Sequence, residues 1–183
     1  MFAVSAVAGL LLLLLSSATW FVPRIAFWPP PSTDSWQYTV FWWLFRILVF
    51  GVVISAFLDF GGLGKQSPWQ LVIGAILAVV GFGLAFWATH ALGWRDAHGD
   101  ANSLKTTGWF GWSRNPIYVV SLGGMVGVGL IAHSTYVNIL LALWAVMYLL
   151  APFLEEPWLE QHFGEEFRQY KGRVNRFVGW RGE

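Results

Sequence analysis

The sequence has no cysteine and few charged residues. Only 11% of its 183 residues are charged, whereas a soluble domain has about a quarter. The absence of cysteine excludes disulfides, thiolate metal ligands and cysteine nucleophiles. The scarcity of charge, with a mean hydropathy of +0.55, excludes a disordered chain, a nucleic-acid-binding protein and almost any ordinary cytosolic enzyme. The abundance of hydrophobic residues, 56% of the chain, indicates instead a membrane protein.

Five apolar stretches predict membrane spans, each of which needs about 20 residues. They cover about residues 2–22, 38–58, 69–92, 118–132 and 136–154. The fourth stretch is short, and a three-residue connection to the fifth predicts an antiparallel helical hairpin. A signal peptide is the alternative for the first stretch, but its start lacks Lys and Arg and four spans follow, so we expect a retained helix. The predicted fold is all-α, one polytopic membrane domain over residues 1–183.

The positions of Lys and Arg predict the orientation. If the N-terminus lies outside, Lys65 is in an outer loop and ten basic residues lie inside or toward the inner end of a span: Arg24, Arg46, Arg95, Lys105, Arg114, Arg168, Lys171, Arg173, Arg176 and Arg181. Basic residues concentrate on the cytoplasmic side of membrane proteins. We therefore expect an outside N-terminus and a cytoplasmic C-terminus, in a membrane such as the prokaryotic inner membrane.

Two features predict local packing. Gly123 and Gly127 are four residues apart on one helical face, which favours the close approach of a neighbouring helix. Pro157 predicts the end of the fifth span and the start of a second helix over 157–170. The apolar residues of this predicted helix recur at helical spacing, which is typical of an amphipathic helix at the inner interface. These residues are Leu159, Phe163, Phe167 and Tyr170.

The segment before the fourth span contains a candidate anion site. Pro116 favours an extended Asn115 and suits the first turn of a helix. Residues Ser113 to Asn115 then lie at a helix N-terminus, where free N–H groups attract anions. Arg114 adds a bidentate donor for a carboxylate or phosphate. The alternative is an interfacial Arg and two Trp that anchor the helix at the lipid headgroups.

Glu155 and Glu156 form a pair of carboxylates at the end of the fifth span. Their side chains project roughly 100° apart on a helix, so they do not share one role. One interpretation is that they cap the following helix. The competing interpretation is that one of them faces an inner cavity and holds a cationic ligand.

These motifs, in this order, resemble the isoprenylcysteine carboxyl methyltransferase and phospholipid methyltransferase superfamily. The matching segments are TTGWFGWSRNPIY at 106–118 and EEPWLEQHFGEEFRQYKGRVNRF at 155–177. Members carry a TxGxY…RHPxY or RNPxY element, then EExxL, then FGxxYxxYxxxV. The resemblance covers about residues 104–178. Phe110 and Phe167 stand where members of the superfamily commonly have tyrosine. Asn115 stands where the strict prenylcysteine enzymes have His, so the resemblance implies the methyl transfer more specifically than the substrate.

The resemblance implies S-adenosylmethionine as the cofactor. Arg114 and the helix N-terminus suit its carboxylate, and either Glu155 or Glu156 suits its ammonium. The residues that we expect to bind the cofactor are Thr107, Gly108, Trp112, Arg114, Asn115, Pro116, Tyr118, Glu155, Glu156 and His162. We expect Glu156 and Arg173 to be catalytic, and Trp43, Arg46 and Arg176 to contact the substrate.

The expected reaction is methyl transfer to a lipidic or small apolar acceptor, such as a prenylcysteine-like carboxylate or an amino-lipid. An in-line displacement on an activated carbon needs alignment and water exclusion but no metal. We therefore expect the bilayer and the acceptor as partners, with no metal and no nucleic acid.

Two other functions stay open. The first is an NADPH-dependent reductase of the sterol-reductase type, whose GWxGxxRHxNY element is similar to the segment from Gly108 to Trp112. The second is a non-catalytic membrane protein that binds a small molecule, although it would leave Arg114 and Glu156 without a joint task.

Overall fold

The computed structural model describes residues 1–93 and 103–179. Arg95 and Arg181, which contribute to the predicted orientation, lie outside the described residues. The described residues form seven α-helices and a short 3₁₀ turn at Pro23–Ile25, with no β-strand among them. The helices are α1 (Phe2–Phe21), α2 (Trp36–Leu58), α3 (Pro68–Leu92), α4 (Trp109–Trp112), α5 (Pro116–Ala132), α6 (Thr135–Phe163) and α7 (Glu165–Arg173).

The all-α polytopic prediction is confirmed. Helices α1, α2, α3 and α6 are long and apolar enough to cross a membrane, and α5 is a shorter apolar helix of 17 residues. Local sequence sets several helix starts. The Ser35 hydroxyl accepts a hydrogen bond from the Tyr38 N–H at the start of α2, and Pro116 occupies the first turn of α5. We call the end of the bundle near Pro116 and Phe163 the inner end, and the opposite end the outer end.

The outer end is closed by backbone and side-chain hydrogen bonds. Helices α5 and α6 are joined by a tight turn in which His133 has a left-handed backbone. The loop between α2 and α3 is bonded to this turn, because the Gly61 N–H donates to the Ala132 carbonyl and the Ser134 hydroxyl donates to Asp59. The predicted helical hairpin is thereby fixed in place at its tip.

The close helix approach involves a different glycine pair from the predicted one. A Cβ at Gly127 would overlap Ala78 of α3 and lie 2.5 Å from the Gly74 carbonyl oxygen. A Cβ at Gly124 would lie 2.8 Å from the Phe82 ring, whereas one at Gly123 would meet nothing within 4 Å. The expectation for Gly123 was therefore wrong. The two glycines in contact, Gly124 and Gly127, are three residues apart on α5, and the helix that approaches them is α3.

The predicted helix break at Pro157 is also wrong. Helix α6 continues through Pro152 and Pro157, and it ends at Gly164, whose φ of +55° suits glycine. Interior proline is tolerated in membrane helices when neighbouring groups satisfy the freed carbonyls. The predicted amphipathic surface is consequently divided between α6 and α7, whose apolar side chains pack in one cluster with Phe110 and Val174: Leu159, Phe163, Phe167 and Tyr170.

Candidate active site

A cavity of about 280 Å³ lies at the inner end of the bundle. Its walls come from α1, α2, α3, α5, α6 and α7, and from the segment that precedes α5. Most lining side chains are aromatic or aliphatic, and charged groups are concentrated where α5 starts. Met147 and Glu155 both line it, and their separation along α6 corresponds to a depth of roughly 12 Å.

The charged part of the site is built around Glu156. Its carboxylate accepts hydrogen bonds from the Arg114 Nη2 at 2.7 Å and from the Arg176 Nε and Nη2 at 2.8 and 2.7 Å. The Arg114 and Glu156 side chains are only 5% and 6% exposed, so water screens their attraction weakly. We call these three residues the arginine–glutamate cluster; it carries one net positive charge.

Arg114 also organises the chain after α7. Its Nη1 donates to the carbonyl oxygens of Lys171 and Val174, at 3.0 and 2.8 Å. Its backbone N–H donates to the Asn175 carbonyl, and the Asn115 side chain donates to the Arg176 carbonyl. The Nε of Arg114 is buried and has no hydrogen-bond partner in the part of the chain described. The Arg114 Nε–H is thus a buried donor of the cluster that remains for a ligand.

Glu155 has different partners from Glu156. Its Oε1 accepts hydrogen bonds from the Trp28 Nε1 at 2.7 Å and from the Tyr118 hydroxyl at 2.6 Å. Trp28 stacks on Phe41, with ring centroids 4.0 Å apart, and Tyr118 packs against Tyr148 at 4.7 Å. Glu155 therefore sits in an aromatic part of the cavity wall. We call this group, Trp28, Phe41, Tyr118, Tyr148 and Glu155, the aromatic wall.

Two groups near the cluster have shifted pKa values. Hydrogen bonds to Glu156 raise the pKa of Arg176 above its ordinary value, so its charge is maintained. Burial raises the pKa of Tyr170, whose hydroxyl donates a 2.6 Å hydrogen bond to the Phe110 carbonyl. Tyr170 therefore stays neutral and fixes α7 to the segment before α5.

The structure brings together about half of the residues predicted for the site. The cavity is lined by Arg114, Asn115, Pro116, Tyr118, Glu155 and Glu156, and Arg176 is bonded to Glu156. The other predicted residues are not among those that line the cavity: Trp43, Arg46, Thr107, Gly108, Trp112, His162 and Arg173.

Four of the seven predicted residues outside the cavity wall have identifiable surroundings. Trp43 is 61% exposed and the Arg46 guanidinium lies 5.9 Å from its ring, so the two pair with each other on the outside of α2. His162 is exposed and stacks on Trp158, which does line the cavity. Arg173 is exposed at the end of α7. Each belongs to a neighbouring surface of the protein.

Sequence reasoning missed three lining residues from the first part of the chain. Ser16, Trp28 and Phe41 line the cavity, yet they lie 65 to 90 residues before the first motif, which begins at Thr106. The available signal was a tryptophan before the Pro29–Pro31 run at the predicted inner end. No group of three or more His, Asp or Glu residues that could hold a metal occurs within residues 1–93 and 103–179.

Comparisons with known proteins agree with the resemblance seen in the motifs. The family model described as phospholipid methyltransferase matches residues 69–166. The chain is 31% identical over 140 residues to the cobalt-zinc-cadmium resistance protein CzcN of Cupriavidus metallidurans, an alignment that covers 72% of this chain and 62% of that protein. The chain thus spans less than two thirds of the length of this relative. No solved structure matches the chain.

Proposed function

The chain belongs to the phospholipid methyltransferase family, and we propose that it transfers a methyl group from S-adenosylmethionine to a lipidic or small apolar acceptor. Membership of that family supports a membrane methyltransferase. We propose in addition which cofactor and class of acceptor it uses, and which residues bind them.

The observation that carries the proposal is the arginine–glutamate cluster at the polar end of an otherwise apolar cavity. The methionine part of the cofactor has a carboxylate and an ammonium close together. The guanidinium groups suit the cofactor's carboxylate. In particular, the Arg114 Nε, which has no partner among the described residues, would donate a charge-assisted hydrogen bond to it. Glu156 suits the ammonium. Groups of both charges, Glu156 and the two arginines, therefore stand side by side for the two charges of a zwitterion.

The apolar part of the cavity supports the choice of acceptor. A sulfonium already activates its methyl carbon, so the protein has to align the two reactants and exclude water. The deep end of the cavity is lined by Leu13, Phe45 and Met147 from three membrane-spanning helices. These side chains favour an acceptor with a hydrophobic part that enters from the bilayer.

We also propose that residues 1–183 act as one catalytic domain. The cavity takes wall residues from α1, such as Leu13, and from α7, such as Tyr170. Elements from both ends of the described chain are therefore needed to enclose the same ligand.

Calorimetry on the detergent-solubilised protein tests the cofactor. We expect S-adenosylhomocysteine to bind with one site per chain and NADPH to show no binding. Glu156→Gln should weaken the binding, whereas Glu165→Gln should not, because Glu165 is an exposed residue of α7. Binding of NADPH in place of S-adenosylhomocysteine would instead favour a reductase.

A further inference from the structure

Two adjacent glutamates of α6 face opposite chemical surroundings. Glu156 is buried and bonded to two arginines. Glu155 is only partly buried, lines the cavity and makes no ion pair with any described residue. Their side chains project roughly 100° apart because they are consecutive on a helix. Both carboxylates line the cavity, and Glu155 is the one that no described arginine neutralises.

We propose that Glu155 is the catalytic base that takes the proton from the acceptor, and that Trp28 and Tyr118 are its positioning residues. The inference rests on the proposed function, because it assigns a role within methyl transfer. It goes beyond that function in separating the two glutamates, with Glu156 serving the cofactor and Glu155 the acceptor.

The hydrogen bonds of Glu155 suit this role. Both donors, the Trp28 Nε1 and the Tyr118 hydroxyl, bond to the same oxygen, Oε1. The second oxygen, Oε2, receives no hydrogen bond from any residue within 1–93 and 103–179. A base needs one oxygen held in place and another within reach of the proton that it takes. Trp28 is itself fixed by stacking on Phe41.

The chemical step balances without any further reactant. The acceptor atom loses its proton to the Glu155 Oε2 and uses the freed electron pair to bond the methyl carbon. The bond between that carbon and the sulfonium sulfur breaks, and its electrons return to sulfur. The products are the methylated acceptor, S-adenosylhomocysteine and a protonated Glu155, which later releases its proton to water.

This role restricts the class of acceptor. A base is useful when the nucleophilic atom carries a proton, as in an amine, a thiol or an alcohol. A carboxylate acceptor has no proton to lose, and the charge of Glu155 would repel it in the apolar part of the cavity. We therefore infer a proton-bearing acceptor and exclude a prenylcysteine-like carboxylate.

The first experiment measures binding to the protein loaded with S-adenosylhomocysteine. Decylamine and decanoate serve as probes of equal chain length and opposite charge. We expect decylamine to bind at least tenfold more tightly, and Glu155→Gln to abolish that preference. If the wild type shows no preference for decylamine, whether both probes bind or neither does, the inference is overturned. It is also overturned if Glu155→Gln keeps the preference for decylamine. Failure of S-adenosylhomocysteine itself to bind would instead overturn the proposed function.

The second experiment measures methyl transfer from labelled S-adenosylmethionine to decylamine, decanethiol and decanoate. We expect transfer to at least one of the first two, and a kcat about 100-fold lower in Glu155→Gln. The wild-type rate should fall toward acid pH, and the variant should lose that dependence. Affinity for S-adenosylhomocysteine should stay within about twofold, which also shows that the variant folds. The role of Glu155 as the base is contradicted if Glu155→Gln transfers the methyl group as fast as the wild type. It is equally contradicted if the wild type methylates only decanoate, or none of the probes.

Tyr118→Phe keeps the carboxylate and removes one positioning bond, and it serves as the test if Glu155→Gln does not fold. We expect its kcat to fall about tenfold with unchanged affinity for S-adenosylhomocysteine. A wild-type kcat in Tyr118→Phe would remove Tyr118 from the positioning role and, with Glu155→Gln unfolded, would overturn the inference.

Discussion

At the scale of single residues, Arg114 has two tasks. It neutralises Glu156, and it also holds the carbonyl oxygens of Lys171 and Val174. Removing its side chain leaves Glu156 with Arg176 as its remaining partner among the described residues, and it takes the Arg114 donor from two carbonyl groups. Because buried polar groups that lose their partners are costly, an effect on ligand binding will be accompanied by an effect on folding stability.

Replacing Arg114 and Glu156 separates these tasks. We expect Arg114→Ala and Glu156→Gln each to weaken S-adenosylhomocysteine binding by about 1.5–3 kcal/mol, or roughly tenfold or more, through the loss of a charge-assisted contact. Arg114→Ala should also lower the Tm, which circular dichroism in detergent would record. The control is Arg168→Ala, because Arg168 belongs to an exposed ion pair with Glu165 that contributes little. Unchanged affinity in both site variants would reject the cofactor assignment.

Sequence reasoning located this cluster but not its surroundings. Arg114 and Glu156 lie in motifs whose residue types already suggested ligand binding. One partner of Glu155, Trp28, is 127 residues away in the chain, and no periodicity or spacing links the two residues. Which glutamate meets the arginines and which meets Trp28 and Tyr118 depends on the rotation of α6 in the bundle. That rotation is set by packing between helices and is not encoded in the local pattern.

At the scale of elements, the contact between α3 and α5 depends on the absence of side chains. A Cβ at Gly81 would overlap the Gly124 nitrogen, and one at Gly127 would overlap Ala78. In a bilayer, close packing is a main contribution to helix association, because lipid is as apolar as the buried side chains. The two helices therefore cannot accept even a methyl group at these positions without moving apart.

Alanine substitution tests this contact with a control on the same helix. Gly127→Ala should destabilise the protein by about 1–3 kcal/mol, because the added methyl group meets backbone atoms. Gly123→Ala should be neutral or stabilise by up to about 1 kcal/mol, since open space surrounds that position and alanine favours the helix. Thermal unfolding in detergent measures both. An equal loss in the two variants would mean that the cost comes from α5 itself and not from its contact with α3.

The segment after α7 is a second element on which the site depends. Arg176 bonds to Glu156 and its guanidinium lies 3.9 Å from the centroid of the Phe153 ring, while Val174 is buried with Phe167. Deleting residues 171–183 should therefore abolish S-adenosylhomocysteine binding and lower the Tm, because Arg114 and Glu156 lose partners together. Arg176→Ala should weaken the binding and keep the Tm closer to that of the full chain. Retained binding after the deletion would show that the cluster does not need this segment.

At the scale of the whole molecule, hydropathy and loop length were sufficient to predict the arrangement of the membrane-spanning helices. The predicted spans differ from the helices by a few residues, except that α6 extends to Phe163. The exception has a physical reason: Pro157 removes one backbone hydrogen bond without ending α6, and the helix ends where Gly164 adopts a positive φ. Composition predicts which segments enter the membrane, whereas α6 ends beyond its apolar stretch, at Gly164.

The predicted orientation can be tested because the chain has no cysteine, so that one introduced cysteine is a unique label. Lys65 and Gln169 are both exposed, the first in the loop between α2 and α3 and the second on α7. With the N-terminus outside, a membrane-impermeant maleimide should label Lys65→Cys in intact cells and Gln169→Cys only after lysis. The prediction follows from the concentration of Lys and Arg near the inner end, where the cytoplasmic leaflet retains them. Labelling of Gln169→Cys but not Lys65→Cys in intact cells would reverse the orientation. It would also place the cavity on the side of the membrane where S-adenosylmethionine is not made.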